Sequence, residues 1–283
     1  MKETRFNIFR YQIIPTAQIQ LSLFDAPITV DELKARKNEF FFDTLLHIEE
    51  FRHSRAELVF QIDSPSKDII VLRLGASRGL KRETRDFEKE VVDNFPSAVI
   101  VFNNNPESQK VAIEIEYKAF RSTATIADIL ETNLNNLLRK YNLHVSFQPT
   151  FDKYKFWSLV EQYPRRIVET EFRMISPNMS NISSNLKVDL AGWNKITNTQ
   201  ITKVALKSDK NSGLTFKEGD EPVTSLVDYA SDGGGNIKMR IKGISRKIST
   251  SDTVTEIIVE DLEFEFEPEN LQSINKIFKE ILK

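Results

Sequence analysis

The spacing of apolar and polar residues along the chain predicts an α+β protein. Strand-like alternation or short apolar runs occur over residues 5–14 and on both sides of two turns, at residues 64–65 and 103–106. Apolar residues at helical spacing predict a helix over residues 124–141 and an amphipathic last helix that begins near Pro268. We therefore expect mixed or antiparallel sheets with flanking helices.

A further helix is predicted at the first capping signal, because Thr29 and Glu32 have the spacing of a capping box. We expect this helix to run to about residue 53. Its buried face is predicted to consist of Leu33, Phe40, Phe41, Leu45 and Ile48.

The remaining pattern divides the chain into two parts. The other predicted elements are a charged helix at about 82–93, a strand at 144–149, a helix at 152–163, a strand at 166–175, a helix at about 180–196, a strand at 200–207, a short helix near 222–230 and two long strands at 236–248 and 253–267. Because the rhythm of elements changes near Tyr141, we predict an N-terminal subdomain over residues 1–142 and a C-terminal subdomain over residues 143–283.

Composition narrows the classes of function. The net charge of −2, from 39 basic and 41 acidic residues, gives no overall attraction to nucleic acid or to an anionic membrane, so binding of either would need a local patch. The chain has no cysteine, which excludes disulfides, thiolate metal sites and a cysteine nucleophile. No apolar run has the length of a signal peptide or a membrane span. We expect a cytoplasmic protein with no cofactor and no membrane partner.

The pentapeptide QLSLF, residues 20–24, resembles the linear motif through which bacterial proteins dock on the DNA polymerase sliding clamp. In such a motif an extended peptide places Leu23 and Phe24 in an apolar pocket. Gln20 orients the peptide through amide hydrogen bonds, and Leu21 adds buried area. The long connection between the first strand and the first helix favours an exposed loop. The resemblance therefore implies that the sliding clamp is a partner of this protein.

The same pentapeptide has a second interpretation. Ile19, Leu21 and Leu23 alternate with polar residues, which is also the pattern of a half-buried strand. In that case QLSLF belongs to the protein's own core and binds no partner.

A glycine run, residues 233–235, leads into the sequence NIKMRIKG, where apolar residues alternate with Lys238, Arg240 and Lys242. A glycine loop that enters a basic strand lets backbone amides and cations meet phosphates, so we predict that these three cations contact nucleic acid. The alternative is structural. The glycines then form a helix C-cap and turn, and the glutamates of residues 262–267 neutralise the cations from a neighbouring strand.

A second basic stretch contains Arg78, Lys81 and Arg82. A loop of this composition before a helix can bind a phosphate through its amides and guanidinium groups, so these residues are also predicted to contact nucleic acid. Several acidic residues follow between positions 83 and 90. The alternative is therefore a solvated, charged helix without a ligand.

Glu114, Glu116 and Lys118 provide a catalytic alternative. They loosely resemble the Glu-x-Lys element of the restriction-endonuclease-like fold, in which carboxylates hold Mg²⁺ and a lysine assists the attacking water. That fold also has an upstream aspartate on a neighbouring strand, whereas Asp93 lies before a proline and outside the predicted strand. The resemblance implies a metal-dependent nuclease.

Three longer segments, RFNIFRYQIIP, IVETEFRMISPNM and DYASDGGGNIKMRIKG, resemble an uncharacterised group of bacterial proteins found among anti-phage and mobile-element genes. The resemblance implies a role in antiviral defence and carries no catalytic residues. The sequence thus predicts a non-enzymatic bacterial protein that docks on the sliding clamp and contacts DNA or RNA. The alternatives are a metal-dependent nuclease and a structural subunit of a larger defence complex or homo-oligomer.

Overall fold

The computed structural model describes residues 3–16, 30–54, 56–176, 197, 199–209 and 212–283. The strands of these residues are β1 (Glu3–Pro15), β2 (Leu58–Asp63), β3 (Ile69–Ala76), β4 (Leu80–Glu83), β5 (Lys89–Val92), β6 (Ser97–Asn103), β7 (Lys110–Glu114), β8 (Leu143–Pro149), β9 (Ile167–Ile175), β10 (Ile201–Lys207), β11 (Gly235–Ile241), β12 (Ile248–Ser249) and β13 (Glu256–Glu260). The helices are α1 (Val30–Leu46), α2 (Thr123–Leu138), α3 (Lys153–Gln162), α4 (Glu221–Tyr229) and α5 (Pro268–Ile281). The predicted α+β class is confirmed.

The chain forms two compact units that are discontinuous in sequence. The first unit consists of Met1–Asn7, Ala35–Val145 and Ile257–Lys283, and the second of Ile8–Lys34 and Ser146–Glu256. The predicted subdomains, residues 1–142 and 143–283, were continuous halves. In the structure, Ile8–Lys34 belongs to the second unit and Ile257–Lys283, which includes α5, belongs to the first.

The first unit contains the pairing predicted around both turns. The seven-stranded sheet of the protein has the strand order β13-β1-β7-β6-β3-β2, and β8 also pairs with β1. Antiparallel ladders join β2 to β3, β3 to β6 and β6 to β7, so the hairpins predicted at residues 64–65 and 103–106 are confirmed. The β3 and β6 strands are buried almost throughout, which explains their unbroken apolar sequences.

Three helices pack their apolar faces into the core of this unit. The face predicted for α1 is buried, but the helix ends at Leu46 and not near residue 53. Helix α2 begins where the hydroxyl of Ser122 accepts a hydrogen bond from the Thr125 amide at 3.2 Å. In α5 the buried residues recur at helical spacing, and the ring of Phe278 lies 5.2 Å from that of Phe6. The amphipathic last helix is therefore confirmed.

The predicted charged helix at residues 82–93 is wrong, because this segment forms the antiparallel strands β4 and β5. The ladder between β3 and β6 continues outward in the same register. The amide of Arg78 donates to the carbonyl of Asn94 at 2.8 Å, and the amide of Thr84 donates to that of Glu88 at 2.8 Å. Residues 77–95, named here the β-arm, are thus an extension of the two central strands.

The second unit follows the alternation predicted after residue 143. Strand β8, helix α3 and strands β9 and β10 lie within one or two residues of their predicted bounds, and α4 matches the helix expected near residues 222–230. The predicted helix at about 180–196 lies outside the described residues.

The prediction of two long strands at residues 236–248 and 253–267 is wrong. Strand β11 ends at Ile241, and only two residue pairs join it to β12. Gly243, with φ near +88°, turns the chain between these strands. Strand β13 belongs to the large sheet, and the residues after it leave regular structure. Leu262 and Phe264 of that segment are buried in the core of the first unit.

Candidate nucleic-acid interface

The four-stranded sheet of the second unit has one buried face and one solvent-facing face. Its strand order is β10-β9-β11-β12, and all pairs are antiparallel. Phe172 of β9 and Met239 of β11 are completely buried, and they share a core with Phe156 of α3 and Leu226 of α4. The alternate residues of the same strands must therefore point outward.

The charged outward residues of this sheet, with two flanking lysines, form a surface that we name the basic face. It consists of Glu169, Glu171 and Arg173 on β9, Lys203 and Lys207 on β10, Lys238 and Arg240 on β11, and the flanking Lys242 and Lys247. Seven of these nine side chains are cationic and two are carboxylates. The excess of positive charge is local, because the chain as a whole carries −2.

The strand register arranges the basic face in rows across the sheet. Lys203 lies opposite Arg173, so one row is cationic across two adjacent strands. Two rows further along the same face, Glu169 lies between Lys207 on one side and Arg240 on the other. Directly opposite side chains in an antiparallel sheet are close enough to interact. The cations are thus held side by side by the register.

Glu169 is the main internal counter-charge of this face. Its carboxylate lies 2.9 Å from the Lys247 ammonium and 3.8 Å from the Arg240 guanidinium. The hydrogen bond from Lys247 and the charges of Lys247, Lys207 and Arg240 lower the pKa of Glu169 below its usual value, against the opposing effect of burial. Glu169 therefore stays ionised at neutral pH and holds two of the seven cations.

Cross-strand neutralisation was predicted from the wrong strand. The glutamates of residues 262–267 belong to the first unit, whereas β11 pairs with β9 and β12. Lys238 lies opposite Glu171, and Arg240 lies opposite Glu169. The acidic partners come from β9 because this strand occupies the centre of the sheet.

The three glycines that precede β11 are buried and closely packed. Gly233 has a φ near +81°, and a Cβ there would lie 2.5 Å from Cβ of Arg10. A Cβ at Gly234 would lie 2.4 Å from the Tyr229 ring, and one at Gly235 would lie 2.0 Å from the Arg173 carbonyl oxygen. This geometry supports the structural interpretation of the glycines, since a tight turn returns the chain from α4 into the sheet.

Polar side chains lie beneath this turn. The amide of Gln12 donates to the Gly233 carbonyl at 3.3 Å, and the hydroxyl of Tyr229 donates to the Ile175 carbonyl. Burial raises the pKa of Tyr229, so its hydroxyl remains a donor. Burial lowers the pKa of Arg10, and the nearby Asp232 partly offsets this effect. These contacts fix the entry of β11, which carries two cations of the basic face, Lys238 and Arg240.

Arg78, Lys81 and Arg82 lie in the β-arm of the first unit. Arg82 forms an ion pair of 2.9 Å with Glu90 across the arm, and the Arg78 guanidinium donates to the Ala119 carbonyl at 2.6 Å. The arm contains five basic and five acidic residues. It has no net charge to attract a polyanion, in contrast to the basic face.

The residues of the nuclease alternative make local structural contacts. One carboxylate oxygen of Glu114 accepts the Val99 amide at 2.7 Å, and one of Glu116 accepts the Lys118 amide at 2.9 Å. Among the residues that the structure describes, no group of three or more His, Asp or Glu side chains is placed to hold a metal ion. Both carboxylates thus shape the end of β7 and the turn after it.

Four cations of the basic face were absent from the sequence prediction, namely Arg173, Lys203, Lys207 and Lys247. The alternation of ITKVALK and ETEFRMI did place most of them on the polar side of a strand. What the pattern lacks is the order of the strands, which brings these residues next to Lys238 and Arg240.

The clamp-motif residues Gln20, Leu21, Leu23 and Phe24 lie outside the described residues. Within the described ranges, no helix has the length and apolar character needed to cross a bilayer. No family model, no curated protein and no solved structure matches this chain.

Proposed function

We propose that this protein is a non-enzymatic interaction protein that contacts nucleic acid through the basic face and docks on the DNA sliding clamp through QLSLF. The first part rests on one observation, namely seven cations and two carboxylates on one open sheet face. The clamp contact rests on residues 20–24 of the sequence alone. A role in anti-phage defence rests on the three segments that resemble proteins of that setting.

The composition of the basic face favours recognition of the phosphate backbone over recognition of bases. None of the outward residues of β9, β10 and β11 that pair across this sheet is aromatic. Proteins that hold single strands by their bases generally use exposed aromatic rings as stacking surfaces. Lysine and arginine contacts to phosphates instead give binding that is sequence-independent and falls steeply with salt. We therefore expect duplexes of unrelated sequence to bind with similar affinity.

The nucleic-acid contact is tested with a triple variant, Lys203→Gln, Lys207→Gln and Lys238→Gln. Fluorescence anisotropy with a labelled DNA duplex should show weaker binding, and the slope of log K against log salt should fall by roughly 2.7, at 0.9 per lost phosphate contact. The matched control is Lys67→Gln, Lys217→Gln and Lys276→Gln, which removes the same charge from other exposed positions. Equal losses in both triple variants would refute the basic face as the binding surface.

The clamp contact is tested separately by titrating the protein against purified bacterial sliding clamp. We expect micromolar binding that is lost in the Leu23→Ala/Phe24→Ala variant, because two buried apolar anchors supply most of such a contact. The control is Ser22→Asp, since the motif accepts serine or aspartate at this position. Clamp binding that survives the loss of Leu23 and Phe24 would end this part of the proposal and leave the basic face untouched.

A further inference from the structure

The β-arm, residues 77–95, is a two-stranded ribbon with open edges. All four residues of β4 and three of the four residues of β5 are exposed, so neither face of the ribbon packs on a core. Within the described chain, β4 and β5 pair only with each other. Isolated two-stranded ribbons are marginally stable in water, and their open edges can add a further strand.

The hydrogen-bond pattern shows which residues of β5 face its open edge. Bonds from Arg78 to Asn94 and from Thr84 to Glu88 lie within the ribbon. Because bonded and non-bonded pairs alternate along an antiparallel ladder, Val92 and Glu90 also bond inward. The backbone groups of Lys89, Val91 and Asp93 therefore point outward, towards the space beside β5.

We propose that β5 pairs with β5 of a second copy of this chain, antiparallel and centred on Val91. In this register Val91 lies opposite Val91 of the second copy, and Lys89 lies opposite Asp93 of the second copy. The two-fold symmetry repeats the Lys89–Asp93 pair on the other side of the centre. All three residues present outward amides and carbonyls, so each opposing pair can exchange two backbone hydrogen bonds.

Charge complementarity favours a second copy of this chain as the partner at the open edge, and it favours pairing through β5 over pairing through β4. A lysine on an open edge usually prevents pairing with other chains, but here Asp93 stands at the position that neutralises Lys89. The same operation on β4, whose outward residues are also the odd-numbered ones, would place Lys81 opposite Lys81. Val91 is 67% exposed and would lose that exposure at the centre of the paired ribbon. This inference stands independently of the proposed nucleic-acid and clamp contacts.

Cross-linking tests the register directly, because the natural chain has no cysteine. In the proposed pairing the Cα atoms of the two Val91 residues are about 5.5 Å apart, as in any hydrogen-bonded antiparallel pair. A disulfide spans such a distance. The Val91→Cys variant should therefore form a disulfide-linked dimer under mild oxidation.

The control is Leu80→Cys, at a position of the same arm that is 52% exposed. In the paired ribbon the two copies of residue 80 are separated by three strand spacings and an offset of two residues, about 16 Å in all. We expect this variant to remain monomeric on a non-reducing gel. Equal cross-linking of the two variants, or none in either, would overturn the proposal.

Charge exchange tests the partner pairs in the cysteine-free protein. Lys89→Glu places two carboxylates opposite each other twice in the dimer, and Asp93→Lys does the same with two ammonium groups. Each single variant should raise the dimer dissociation constant roughly 2- to 30-fold in sedimentation equilibrium. The double variant restores opposite charges and should dimerise as the natural chain does. A natural chain that is monomeric at every concentration, or a double variant no better than the single ones, would refute the self-pairing.

Discussion

Glu169→Gln should strengthen the binding of nucleic acid, although it removes two contacts from the sheet. The carboxylate of Glu169 holds Lys247 at 2.9 Å and lies 3.8 Å from Arg240. Its lowered pKa means that the residue carries a full negative charge at neutral pH. Glutamine has nearly the same shape and no charge, so the substitution frees one or both cations for phosphate and changes little else on the face.

The size of the effect follows from the number of cations released. Each added phosphate contact steepens the salt slope by about 0.9, so release of one or two cations steepens it by about 0.9 to 1.8. At a salt concentration near 0.1 M this corresponds to a gain in affinity of about 8-fold for one contact and about 60-fold for two. The gain should shrink as salt is raised, and the curves for the two proteins should converge.

The assay is fluorescence anisotropy with one labelled duplex over a series of salt concentrations. Glu218→Gln is the matched control, because it makes the same change in net charge at an exposed position of the same unit, away from the rows of the basic face. We expect the control to bind as the natural chain does. Equal gains for Glu169→Gln and Glu218→Gln would show that overall charge governs binding, and the reasoning from the rows would be refuted.

Three further predictions concern stability. Asn38→Ala should lower the free energy of unfolding by about 1–3 kcal/mol in chemical denaturation. The buried side-chain amide of Asn38 donates to the Asn104 backbone carbonyl at 2.9 Å, and its side-chain oxygen accepts from the Gln109 amide at 3.1 Å. An unchanged midpoint would contradict this prediction. Gly234→Ala should destabilise by about 1–3 kcal/mol through overpacking, and a fully stable variant would show that the turn adapts easily. Burial lowers the pKa of the half-buried His144, so its contribution to stability is complete above its unfolded pKa of about 6.5 and is lost as the pH falls below that value. The melting temperature of His144→Gln should therefore fall less between neutral and mildly acidic pH than that of the natural chain, and parallel pH curves would exclude this role.

The contrast between β11 and the β-arm shows what the sequence could predict. Lys238 and Arg240 alternate with buried Ile237 and Met239, so period-two spacing located both the strand and its polar side. Eight of the twelve residues 82–93 are charged and ten are exposed, and they carry no apolar period of either kind. These residues form strands because the pairing of β3 with β6 continues into them. The spacing of residues within the segment cannot predict such a non-local effect.

The acidic neighbours of the basic strand were missed for a related reason. Glu169 stands some seventy residues before Arg240, and no local spacing pattern links residues that far apart. The glutamates of residues 262–267 alternate in the next predicted strand along the chain, so the order of elements in the sequence selected them wrongly. Only the strand order β10-β9-β11-β12 brings Glu169 and the added lysines together.

The discontinuous division of the chain has a consequence for the order in which the protein can fold during synthesis. The first unit draws its last helix, α5, from residues that are translated after the whole of the second unit. At about 5–20 residues per second, the interval between Val145 and Lys283 is roughly 7 to 28 s. During that time the apolar groove that receives Ile274 and Phe278 lacks its helix. The nascent first unit therefore exposes this apolar surface to chaperones and proteases until α5 has been synthesised.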